Sequence, residues 1–117
     1  MAEITQAAYQ NLRDYIQSNW KYIELQDDTG VSIIRLSPSD SRVTWTHSAG
    51  EQTLKLQVVI KGSDAEITFP QTLAKSLTYS VATGGSPFSE ESFPPFTFVG
   101  DQDELTVIHS IEVPKVV

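Results

Sequence analysis

A chain of 117 residues suits one domain, since a single hydrophobic core is viable from roughly 50 to 200 residues. Its 15 Asp and Glu outnumber 8 Lys and Arg for a formal charge of −7, and the basic residues are spread along the chain. That argues against nucleic acid and against an anionic membrane as partners. With no cysteine, disulfides, thiolate nucleophiles and thiolate metal sites are excluded.

The chain starts with no basic segment followed by an apolar run, so a secretory leader is not expected. The aliphatic clusters Ile33-Ile34 and Val58-Val59-Ile60 fall far short of the roughly 20 apolar residues of a spanning helix. The acidic excess is read as maintaining solubility.

In chain order, residues 5–18 read as the one helix, with Thr5 as N-cap and Ile4 and Tyr9 at hydrophobic-staple spacing. Ala8, Leu12, Tyr15, Ile16 and Trp20 recur at helical spacing, which predicts one apolar stripe packed on the rest of the protein. Gln10, Arg13, Asp14 and Gln17 lie off that stripe and are expected to face water.

From Trp20 the period changes to two. Strands are expected at 20–26 and 31–36, joined by a tight turn at Asp27-Asp28-Thr29-Gly30. Ser37-Pro38-Ser39-Asp40 breaks the chain before 42–47, and Ser48-Ala49-Gly50 turns it into 52–61. There Leu54, Leu56, Val58 and Ile60 share one face, the cleanest half-buried pattern in the sequence.

A short strand at 65–69, a break at Pro70 and a strand at 76–82 follow. Gly84-Gly85 supports a hairpin returning along 87–93, and Pro94-Pro95 is expected to stop pairing because neither residue has an N–H to donate. Asp101-Gln102-Asp103-Glu104 makes another turn, and 104–113 alternates Leu105, Val107, His109, Ile111 and Val113 along one face. The predicted class is mainly β (α+β): one N-terminal helix on an antiparallel β-sandwich or barrel-like sheet of about seven or eight strands.

Few residues offer chemistry. His47 and His109 share strand parity with apolar neighbours and are read as core or edge histidines, since metal ligation usually needs at least one more donor. The carboxylates gather in turns, and Asp101-Gln102-Asp103-Glu104 offers a fragment of a calcium loop that turn chemistry explains more simply. No Gly-x-Ser-x-Gly elbow and no phosphate loop is present. The expectation is a binding or structural module with no catalytic residues, metal or cofactor.

Interface candidates are better represented. Residues 86–98 carry four phenylalanines among three prolines, and prolines stiffen an extended segment, which lowers the entropy lost on docking. Phe96 and Phe98 are read as core, and Phe88 and Phe93 as interface anchors. At the C-terminus Val116 and Val117 either add to a neighbour's sheet edge or fray.

Three stretches, in order, resemble small structural proteins of tailed bacteriophages. They are Ile4-Thr5-Gln6-Ala7-Ala8 through Leu12-Arg13-Asp14, then Ala82-Thr83-Gly84-Gly85 with Phe93-Pro94-Pro95-Phe96-Thr97, and finally Asp103-Glu104-Leu105-Thr106-Val107. Residues 20–70 match only in strand rhythm, and the expected glycine-rich stretch after the helix is replaced by Trp20-Lys21-Tyr22-Ile23-Glu24. The resemblance implies a non-enzymatic, multicopy subunit of the virion, associated with tail, baseplate or fibre, whose partners are other virion proteins and copies of itself. Two alternatives stand beside it: a capsid decoration protein, and a β-sandwich module binding carbohydrate or another surface ligand through Trp20, Tyr22 and Trp45.

Overall fold

In a computed structural model, which describes residues 2–113, Thr5 caps the helix as its position suggests. Its backbone is extended and its hydroxyl accepts from the Ala8 amide at 3.3 Å, satisfying one donor that a helix start leaves unpaired. Helix α1 spans Gln6–Asn19, and the Trp20 amide closes it on the Ile16 carbonyl.

Seven strands follow in two antiparallel sheets. Strands β1 (Tyr22–Gln26), β2 (Ser32–Leu36), β5 (Gln71–Tyr79) and β6 (Ser89–Phe98) form one sheet in the order β2-β1-β5-β6. The other, ordered β3-β4-β7, contains β3 (Val43–Trp45), β4 (Thr53–Lys61) and β7 (Glu104–Glu112). The fold is therefore mainly β, a sandwich of two sheets preceded by one helix.

Between the sheets lies a continuous core. Ile23, Leu25, Ile34 and Leu36 of the first sheet meet Leu56, Val58, Ile60 and Val107 of the second, with Leu73 and Phe98 among them. The strict alternation in β4 is what places Leu56, Val58 and Ile60 here, with Leu54 buried on the same face nearer α1, and burying each contributes about 1.5–3 kcal/mol. At the β1–β2 turn, Asp27 Oδ1 accepts from the amides of Thr29 and Val31, and Gly30 takes a φ of 87° that a side chain would disfavour.

Several expectations are corrected. Residues 65–69 are not a strand. Asp64 there accepts from the Lys61 amide through its carboxylate and from the Ile67 amide through its carbonyl, so local bonds replace a ladder while Ile67 plugs the core. Strand β5 occupies Gln71–Tyr79 rather than 76–82, leaving Val81 exposed in a loop over residues 80–88.

Pro94-Pro95 does not end pairing either. β6 is an edge strand, and Phe93-Pro94-Pro95 bulges opposite Ala74 between the Leu73–Phe96 and Lys75–Ser92 pairs. An edge position and a bulge are the two settings in which a strand tolerates residues without an N–H.

The largest correction concerns α1. Arg13 and Ile16 are its buried residues, whereas Leu12 (44% exposed) and Tyr15 (60%) face outward. The helix is rotated part-way from its predicted stripe, keeping Ile16 buried and Ala8 and Trp20 half-buried while Leu12 and Tyr15 turn outward. Its docking surface pairs apolar Ile16 with a polar tether: the Arg13 guanidinium donates to the Val113 carbonyl just beyond β7, and also to Gln10 Oε1 on its own helix.

Candidate functional site

Four places on the molecule concentrate chemistry. The first is a groove of about 260 Å³ between α1 and the β3–β4 hairpin. Gln10, Asp14 and Gln17 line it from the helix, and Trp45, His47 and Glu51 from the sheet. Trp45 packs on the core and meets His47 edge-on, with ring centroids 5.6 Å apart at 88°. His47 Nδ1 accepts from the Lys55 amide at 3.2 Å, which puts the ring proton on Nε2 and makes that atom a donor. Gln10 is held from both sides, accepting from Arg13 and donating to Asp14 at 2.8 Å.

The second place is the seam between the sheets. His109, in register with Leu56 and through it with Trp45, is 1% exposed. Its Nδ1 lies 2.7 Å from Ser76 Oγ of β5 and its Nε2 lies 2.7 Å from Ser89 Oγ of β6. Ser89 in turn bonds Thr78. Burial pushes the imidazole below its usual value, against the opposing pull of the Glu91 carboxylate.

A serine bonded to a histidine resembles a nucleophile with its base. Here, however, Nδ1 meets a hydroxyl rather than a carboxylate, and the nearby Ser110 amide is already taken by Glu91 Oε1 at 2.8 Å. The network ties β7 to β5 and β6, with every buried polar side-chain atom among the described residues satisfied.

On the outer face of the first sheet, Glu24 is buried and receives Arg35 at 2.9 Å, Gln26 at 2.7 Å and the Tyr79 hydroxyl at 3.2 Å. Burial alone would raise the Glu24 carboxyl, but the bonds from Gln26 and Arg35 outweigh it and hold the group below its ordinary value. Arg35 stacks over the Tyr79 ring at 3.5 Å and donates to the carbonyls of Val81 and Gly84. The guanidinium thus pins the 80–88 loop, and the loop carries Phe88.

The fourth is Arg42, which is shared by Asp40, Asp64 and Glu66. The hydrogen bonds it donates to Asp40 and Glu66 raise its already high pKa further, so it stays charged throughout. Its role is to join the β2–β3 and β4–β5 connections.

The predicted interface residues fall in different settings. Phe88 is 49% exposed and stacks on Trp20 at 5.4 Å, which leaves one face of the ring available. Phe93 is half-buried against the core, so its ring serves the interior more than an interface. Val116 and Val117 lie outside the described residues.

Phe98 is core and Phe96 packs edge-on against it at 4.9 Å. Trp20 and Trp45 have separate neighbours, Phe88 and His47. His47 and His109 likewise belong to separate settings, and no cluster of three or more metal-ligating side chains occurs among the described residues. Asp103 is a turn residue whose carboxylate accepts from the amides of Val99 and Gly100.

Gln10 and Gln17, which helical spacing places on the solvent side, are instead half-buried and line the groove beneath α1, so the sequence carries no local signal for it. Comparison with protein-family models, with curated proteins and with solved structures gave no match.

Proposed function

We propose that this chain is a non-enzymatic structural subunit of a tailed-phage virion, associated with tail, baseplate or fibre, acting through assembly with other virion proteins and with copies of itself. The observation that carries the assembly reading is the turned helix: α1 buries Arg13 and presents Leu12 and Tyr15 to solvent. Apolar side chains held outward on a helix whose other side is already docked are best accounted for by a protein partner. Beyond its C-terminal end, Phe88 on Trp20 adds an aromatic anchor of the type that dominates interface energies. The phage setting is supported by the ordered motifs at the two ends of the chain.

Size-exclusion chromatography with light scattering, on the chain alone and mixed with particle components, tests this. Self-association or co-elution is expected, weakened by Leu12→Asp with Tyr15→Asp and by Phe88→Ser, while the thermal transition is kept. Losing the Phe88–Trp20 stack costs about 0.5–1.5 kcal/mol of stability, too little to unfold a domain. A strict monomer that binds no particle component refutes the proposal, and an abolished transition in Phe88→Ser would make Phe88 a core residue.

A further inference from the structure

We propose that the groove between α1 and the β3–β4 hairpin is a binding site for a neutral sugar ring. Trp45 lines the groove half-buried, packed on the core and meeting His47 edge-on, so the indole is a fixed apolar surface within a polar cleft. A pyranose is two-sided in the same way, with a face of C–H groups and a rim of hydroxyls.

The walls match the rim. Gln17 offers an amide, donor and acceptor together, that has no hydrogen-bond partner among the described residues although the residue is half-buried. His47 Nε2–H is a donor by virtue of its tautomer, and Asp14 supplies acceptor oxygens. The bond from Gln10 to Asp14 and those from Arg13 to Gln10 fix this wall before any ligand arrives, which reduces the entropy lost on binding.

Charge and size narrow the ligand class. The guanidinium of Arg13 is committed to Val113 and Gln10, whereas Asp14 and Glu51 bring two carboxylates, so a phosphate or an acidic sugar is disfavoured. A wholly apolar ligand would leave the amide and imidazole donors unpaired at about 1–3 kcal/mol each. The 260 Å³ space lies just under the roughly 300 Å³ at which drug-sized pockets begin, which suits one ring. Ala49 and Gly50 form a low rim over which a longer glycan can leave.

Amide and indole NMR spectra of the full chain, titrated separately with glucose, galactose and N-acetylglucosamine, test the site. At least one sugar is expected to give saturable shifts at the Trp45 indole N–H and the Gln17 side-chain amide. Gln17→Ala is expected to weaken that binding about tenfold, equivalent to one good hydrogen bond, and Trp45→Ala to abolish it. Gln17→Ala also guards against a folding defect in the tryptophan variant, and it leaves Leu12 and Tyr15 untouched, so oligomeric state should not change with it. Three results overturn the proposal: no saturable shift with any of the three sugars, saturation by tetramethylammonium or inorganic phosphate instead, or unchanged sugar affinity in Gln17→Ala.

Discussion

Replacing Arg13 by methionine tests what holds α1 to the sandwich. Arg13 is 5% exposed, and its guanidinium bonds the Val113 carbonyl at one end and Gln10 Oε1 at the other. Methionine keeps most of the aliphatic stem and removes the donors, so packing is largely preserved while the polar tether is lost. A hydrogen bond to a charged group contributes about 1.5–3 kcal/mol, and that is the expected loss of docking free energy. Because α1 is anchored to the sheets by few buried residues, Arg13 and Ile16, the loss should appear as local opening rather than global unfolding. In native-state hydrogen exchange, α1 amides should exchange about tenfold to a hundredfold faster, with β4 and β7 unchanged. Leu12→Ser, on the outward face, should stay within about 0.5 kcal/mol of the parent. If Leu12→Ser released the helix and Arg13→Met did not, the orientation of α1 described here would be wrong.

Two further outcomes follow from buried features. His109 has its folded pKa below the unfolded 6.5, so the unfolded chain takes up the proton first; stability is complete above about pH 6.5 and falls as the pH drops toward the folded value. Urea midpoints should decline on acidification through that window, and His109→Gln should flatten the decline; the Glu91 carboxylate, which favours the charged ring, limits its size, and a pH-independent midpoint in the parent would sink the idea. At Gly62, an added Cβ would stand 2.0 Å from the Gly100 carbonyl oxygen, so Gly62→Ala should cost about 1–3 kcal/mol as the β4–β5 and β6–β7 connections are forced apart, and an unchanged thermal midpoint would argue that the two do not touch.

The strands with a strict period of two, β4 and β7, were legible because each presents one face to the core along its whole length. The existence of α1 was legible from its cap and period, but its rotation was not. Of the predicted stripe, Ile16 is buried and Ala8 and Trp20 are half-buried, while Leu12 and Tyr15 face outward and Arg13, from outside the stripe, takes a place on the docked side. That rotation was settled by a carbonyl at the end of β7, nearly a chain length away. The inward parity of His109 was likewise visible, but its partners Ser76 and Ser89 depend on how the two sheets face each other, and no local pattern encodes that. Pro94-Pro95 misled for a related reason, since the rule against prolines applies to central strands and the sequence does not announce which strand is an edge.

The rotation of α1 has two consequences at once. Turning Arg13 inward draws Gln10, Asp14 and Gln17 toward Trp45 and builds a polar groove, and the same turn sends Leu12 and Tyr15 outward. A helix docked by its apolar stripe would have closed the groove and hidden the outer face together. The proposed assembly surface and the proposed sugar site therefore depend on one tether yet lie on opposite sides of one helix. Substitutions on either side should act separately, Gln17→Ala on ligand and Tyr15→Asp on assembly. Arg13→Met should impair both, which sets the tether apart from either surface.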